Sequence, residues 1–214
     1  MAKEYGIGMV AVRRSNHFGM SASFVRQAVD AEMMSLVFTN SSPALPAWGG
    51  KIYKAQRRGE KIPEGWALDG NGAPTTDPAA ALKGVMLPMG GPKGSALAIM
   101  MDVFSGVLSG SSFAGHVTGP YDTSKEADAG HFVVAIKPDL FMDLEEFKAR
   151  MDYLYQRVVG GEKMEGVDRI YYPGEIELLT AQRRREEGIP YVQAEIEALN
   201  READRVGVAH LDRI

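Results

Sequence analysis

Not one of the 214 residues is cysteine, which removes disulfides, thiolate metal sites and a cysteine nucleophile from consideration. Long apolar runs are missing too. The most hydrophobic stretch, SALAIMMDVFSGVLSG at 95–110, is interrupted by Asp102 and falls short of the ~20 residues that cross a bilayer. Positive charge is not in excess: 24 Lys and Arg against 28 Asp and Glu leave a net charge of −4, which argues against a general nucleic-acid surface. The opening MAKEYGIGMV lacks the basic, apolar and cleavage-site order of a secretory leader. A cytoplasmic protein is expected, with neither a membrane nor nucleic acid as partner. Absent as well is a G-x-G-x-x-G fingerprint after the first strand. GIGMVA places its glycines ahead of the apolar run and lacks the third, so a Rossmann crevice is not expected.

What is present interleaves strands with helices and reads as an α/β or α+β protein. Short apolar runs at Gly6–Val12, Met33–Thr39 and His131–Lys137 are bounded by polar or turn residues and predict buried strands. Between the first two, Phe24, Val25, Ala28 and Val29 recur at helical spacing behind Ser21, which is placed to cap the helix. Asp77-Pro78 has the form of an N-cap followed by proline at the first helical position. Asp69 and Asn71 sit in a turn, with Ala73 and Pro74 where a calcium loop needs ligands, so no metal is expected there. The stretch 93–109 is apolar on nearly all sides, which suits the interior or a subunit interface. Asp143–Val158 predicts an amphipathic helix, with Asp143 and Glu146 in capping-box spacing. RIYY at 169–172 predicts a short strand, and the residues from Ile189 onward a last helix.

Four places offer chemistry. In RRSNHFGMS, His17 stands at the turn between the first strand and helix; an imidazole there can exchange a proton near neutral pH or simply be structural. In MGGPKGSAL, three glycines and Lys93 precede a helix N-terminus. This is an anion site or a tight turn into a helix, and not a Walker loop, because Lys93 is followed by Gly94. TNSSP puts Ser41 and Ser42 at a strand end, where turn chemistry explains them equally well. YYPGE places Gly174 and Glu175 at a turn that opens a helix. His116, His131 and His210 show no metal-ligand spacing and are taken as structural or solvated. The basic run KIYKAQRRGEK at 51–61, Arg57 and Arg58 included, suits a solvated face or a patch that meets an anion.

Taken in order, GIGMVAVRRSNHFG, LVFTNSSPALPAWGG, KIYKAQRRGEKIPEGWALD, TTDPAAALKG, LPMGGPKGSALAIMMDVFSGVLSG, GHFVVAIKPDLF and YYPGEIE resemble the malate/L-lactate dehydrogenase-like oxidoreductases. That family includes sulfolactate and ureidoglycolate dehydrogenases and piperideine-2-carboxylate reductases. The resemblance implies a non-Rossmann α+β fold: a mixed cofactor-binding sheet with flanking helices over 1–165, and a C-terminal helical segment of a second domain over 166–214. It implies NAD(P)H as cofactor, a small 2-oxo, 2-hydroxy or cyclic 2-imino carboxylate as substrate, and a homodimer. His17 would be the proton donor or acceptor. Ser41, Lys93, Gly94, Gly174 and Glu175 would contact cofactor. No metal is implied.

Two departures accompany the match. The family begins with a helical segment bearing a Ser-His-Gly motif and an arginine for the substrate carboxylate, and this sequence opens after it. Between Gly50 and Lys51 the family carries a further stretch, with a Gly-Thr-Asn-Pro loop and an Asp-Met-Ala segment; here WGG runs straight into KIYK. The alternative reading is therefore a catalytically incomplete member that keeps nucleotide binding or dimerisation alone.

Overall fold

The computed structural model describes residues 1–42, 59–88, 90–119 and 122–211. Its strands are β1 (Ile7–Ser15), β2 (Met34–Thr39), β3 (Ala67–Leu68), β4 (Pro74–Thr75), β5 (Val85–Met86) and β6 (Ala129–Ile136). They form two sheets, ordered β1-β6-β2 and β4-β3-β5. The ladders are antiparallel in both. The helices include α1 (Ala2–Tyr5) and α2 (Ser21–Asp30), the latter linking β1 to β2. That link does not make the two strands neighbours, because β6 enters between them. Val10 and Val37 both pair with Val133, and Val12 and Thr39 both pair with His131.

Why β6 takes the centre follows from its composition. AGHFVVAI presents apolar side chains to both faces, as a strand covered on two sides requires, and Ala129 to Phe132 are all buried. On one face Phe132 meets Phe38 and Phe104, with ring centroids 6.4 and 5.1 Å away. Phe104 belongs to a π-helical turn, Val103–Val107, that continues α4 (Pro92–Asp102), the helix after α3 (Pro78–Ala81). Gly130 makes this packing possible. A Cβ there would stand 1.7 Å from the Ser105 carbonyl oxygen, so only glycine lets the turn press against the strand.

The small sheet closes over Ile62, Ala67 and Ala81. Asp77 caps α3 as expected, its Oδ1 accepting from the Ala79 N–H at 2.9 Å. Asp69 Oδ1 accepts from the Asn71 and Ala73 N–H groups. That carboxylate therefore shapes the β3–β4 turn.

The chain separates into two compact units, Met1–Leu144 and Glu145–Ile214. This division by contacts groups α5 (Leu144–Val159) with α6 (Glu175–Glu187) and α7 (Gln193–Val206). Within the second unit, surface pairs such as Glu146–Arg150 and Glu202–Arg205 line the helices; exposed pairs of this kind contribute a few tenths of a kcal/mol each, roughly. Glu146 thus reaches forward along its helix.

Two sequence expectations are corrected. Arg169–Tyr172 joins no ladder among the described residues; the Tyr172 N–H donates to Glu175 Oε2 at 3.0 Å, a local bond in place of a strand partner. Ser21 opens α2 as its first residue, and Met20 holds the cap position without a side-chain bond. The stretch 93–109, expected in the interior or a subunit interface, divides: no residue of α4 is buried and Ile99 is 63% exposed, whereas Ser105 and Gly106 of the π-helical turn are buried. The loop at 43–50 and the basic residues 51–58, Arg57 and Arg58 among them, lie outside the described residues.

Candidate active site

β1 ends in a bulge. Between Val12 and Ser15 the register against β6 slips. Arg14 takes a left-handed φ of 53° and donates its N–H to Ser111 Oγ at 2.8 Å. A bulge of this kind stops pairing and redirects the chain, here into the loop Asn16–Met20. Within it the Gly19 N–H donates to His17 Nδ1 at 3.1 Å. Gly19 sits at φ 83° with open space where a Cβ would lie, a conformation that favours glycine.

The His17 ring is exposed, and its Nε2 has no protein partner among the described residues. Because Nδ1 accepts a bond, the neutral ring carries its hydrogen on Nε2 and presents a donor outward.

Beneath the loop lies a residue that the sequence reading assigned to structure. His131 on β6 is 4% exposed. Its Nε2 donates to the Asn16 carbonyl at 3.1 Å, and its Nδ1 lies 2.9 Å from Thr39 Oγ1 on β2. Phe18 stacks on the His131 ring at 4.4 Å, and Phe24 of α2 stacks on Phe18 at 4.9 Å. The usable signal was its register. A histidine in GHFVV next to a glycine, on the strand that joins β1 to β2, touches both strand ends at once.

The end of β2 is held by Asn40. Its Nδ2 donates to Asp102 Oδ1 at 3.1 Å and to the Ser112 carbonyl at 2.7 Å, while its Oδ1 accepts from the Gly130 N–H at 2.9 Å. Ser41, next along, is exposed. The His17 loop and the Ser41 corner therefore stand together on one scaffold.

Lys93 and Gly94 lie elsewhere on it. Asn40 meets the C-terminal residue of α4, whereas Lys93 is in its first turn, about 13 Å away along the axis at 1.5 Å per residue. A single small anion cannot touch both places; an extended ligand can. Gly90 and Gly91 adopt φ of 72° and 65° with nothing within 4 Å of a would-be Cβ. Gly91 caps α4 without a side chain, and the first turn holds no acidic residue. Open backbone, unpaired N–H groups, the positive helix end and the Lys93 ammonium together suit a phosphate.

In the second unit Gly174 caps α6 at φ 88°, with open space around it. The Glu175 carboxylate is engaged within that unit. Oε1 accepts from Tyr155 Oη at 3.2 Å and from Arg169 Nη2, and Oε2 from the Tyr172 N–H. A cavity of about 310 Å³ beside it is lined by Tyr171, Ile176, Leu179, Thr180 and Arg183. Among the described residues no group of three His, Asp or Glu side chains is placed to hold a metal, and no helix is long and apolar enough to cross a membrane.

Comparison with known proteins agrees with this architecture. A family profile described as malate/L-lactate dehydrogenase matches residues 1–51 and 49–200, two pieces that meet where the departure after Gly50 was expected. The malate/(S)-sulfolactate dehydrogenase of Methanothermus fervidus is 34% identical over 240 residues, covering 97% of this chain and 69% of that protein. The ureidoglycolate dehydrogenase (NAD(+)) of Escherichia coli O157:H7 is 30% identical, over 89% of this chain and 64% of its own length. Among solved structures, sulfolactate dehydrogenase from Methanocaldococcus jannaschii superposes with a TM-score of 0.86 at 32% identity, over 97% of this chain and 69% of that one. These matches put the protein among the NAD(P)-dependent dehydrogenases. More narrowly, the chain belongs to the malate/L-lactate dehydrogenase family. It spans 64% to 69% of the length of these relatives.

Proposed function

We propose that the chain carries out NAD(P)H-dependent hydride transfer to a small 2-oxo carboxylate of malate or lactate type, or to a cyclic 2-imino carboxylate, and the reverse oxidation. The observation that carries this reading is the His17 loop, an exposed imidazole with Nε2 turned to solvent above a buried, hydrogen-bonded base. When bound, the nicotinamide supplies or accepts the hydride. Negative charge then grows on the substrate oxygen or nitrogen, and the His17 imidazolium delivers a proton to it from Nε2. In the oxidative direction the same nitrogen removes the hydroxyl proton once the ring's one hydrogen stands on Nδ1, which requires the Gly19 N–H bond to Nδ1 to be given up. Ser41 offers its hydroxyl at the β2 corner, while Lys93 and the Gly90–Gly94 turn hold a phosphate of the cofactor. In the second unit, Gly174 contributes an open backbone surface, and Glu175 holds that turn in shape.

The relatives named for malate, sulfolactate and ureidoglycolate support an α-substituted carboxylate as substrate. The exposed Leu97 and Ile99 of α4 support a homodimer, and a cysteine-free composition suits the reducing cytoplasm. The test is titration with NADH and NADPH followed by nicotinamide fluorescence, then turnover on a panel of 2-oxo acids and cyclic imines. His17→Ala is expected to lower kcat by roughly 100- to 10,000-fold with cofactor binding retained. An unchanged rate overturns the role of His17. Binding without any turnover favours the incomplete family member, and no binding of either cofactor removes the dehydrogenase reading.

A further inference from the structure

We propose that His131 is the positioning residue for His17, setting the height and orientation of the Asn16–Gly19 loop from beneath. The inference rests on the reading of His17 as the proton-transfer group. Its geometry stands on three contacts made by one buried ring. The Asn16 carbonyl can only accept, so His131 Nε2 carries hydrogen and donates to the residue directly before His17, at 3.1 Å. Thr39 Oγ1 at 2.9 Å then donates to Nδ1, which selects that tautomer. Phe18, directly after His17, lies flat on the same ring, 17° from parallel, and is backed on its other side by Phe24. The residues on both sides of His17 are thus held by His131, and the ring between them is left projecting.

Electrostatics suit the arrangement. Burial pulls the His131 pKa below its usual 6.5, the Asn16 carbonyl opposes this, and the nearby His17 charge adds to it. A neutral His131 therefore does not repel an imidazolium at His17, whereas a charged one would. The device costs no buried charge. It also ties the loop to β2, and so to the Ser41 corner where cofactor contact is proposed.

The test uses ring-15N histidine NMR and amide exchange on the intact chain, with steady-state kinetics beside them. His131→Phe keeps a flat ring for Phe18 but loses both hydrogen bonds. It is expected to move the His17 ring titration, to speed Gly19 amide exchange at least about tenfold, and to lower kcat by as much as about 100-fold, the scale of a misplaced catalytic group. KM for the cofactor should stay put. His131→Gln, whose amide can reach the Asn16 carbonyl, is expected to recover most of the loss. A folded H131F with an unmoved His17 titration and Gly19 exchange overturns the inference, as does an H131Q no better than H131F. Should H131F fail to fold, Thr39→Val takes its place: the same displacement in smaller degree supports the inference, and an unmoved His17 overturns it. His17→Ala separates the two levels. If H17A turns over normally the functional reading fails, whereas an inactive H17A beside an unaltered H131F fails the positioning inference alone.

Discussion

β6 and α4 are both rich in apolar residues, yet the chain treats them in opposite ways. Every position from Ala129 to Phe132 is buried. No residue of α4, α5, α6 or α7 is. β6 finds partners on both edges and both faces inside its own unit. The helices present Leu97, Ile99, Leu154 and Leu199 to solvent at 44% to 63% exposure. Apolar periodicity says that a face is to be covered; it does not say by what.

The sharpest way to break this contrast is at its tightest contact. Gly130→Ala drives a methyl group into the Ser105 backbone. It is expected to cost about 3 kcal/mol or more, read as a large drop in the urea midpoint. Asn40→Ala follows. It leaves the Gly130 N–H, the Ser112 carbonyl and one Asp102 oxygen unpaired and should cost about 2–3 kcal/mol. In the second unit Glu175→Gln weakens the bonds to Arg169 and Tyr155, which are partly solvated. About 1 kcal/mol is expected, in keeping with a half-exposed pair. Lys93→Ala should leave the thermal midpoint within a degree or so, since exposed substitutions away from special features change stability little, while weakening NADPH or NADH binding severalfold.

Acid probes the same difference. His131 has a folded-state pKa below its unfolded 6.5, so the unfolded chain binds more protons as pH falls through that range. Its stabilising contribution is complete above pH 6.5 and is lost on the way down to the folded value. Denaturation midpoints measured from pH 7.5 to 5.5 should fall in the wild type and fall less in H131Q.

Local chemistry was readable from residues whose partners are near in sequence. The Asp77-Pro78 cap and the Asp69 turn are of this kind; the strand at HFVVAI was readable from its composition alone. The resemblance carried the family, and comparison bears it out. What could not be read was anything depending on a distant partner. RIYY has strand composition but no neighbour to pair with among the described residues. His131 looked structural because its meaning lies in Asn16 and Thr39, 115 and 92 residues away. The separation of the Lys93 turn from the Ser41 corner likewise rests on a distant partner, since Asn40 is bonded to the far end of α4.

The order of strands in the larger sheet has a consequence for how the protein is made. A ribosome delivers β1, α2 and β2 first, but the piece that joins them, β6, emerges only after most of the first unit has been synthesised. Until then two apolar edges wait without a mate, and contacts so far apart along the chain form slowly. The support proposed for His17 accordingly waits on a residue made 115 positions after Asn16, and a polypeptide cut short of residue 129 would carry His17 with nothing beneath it.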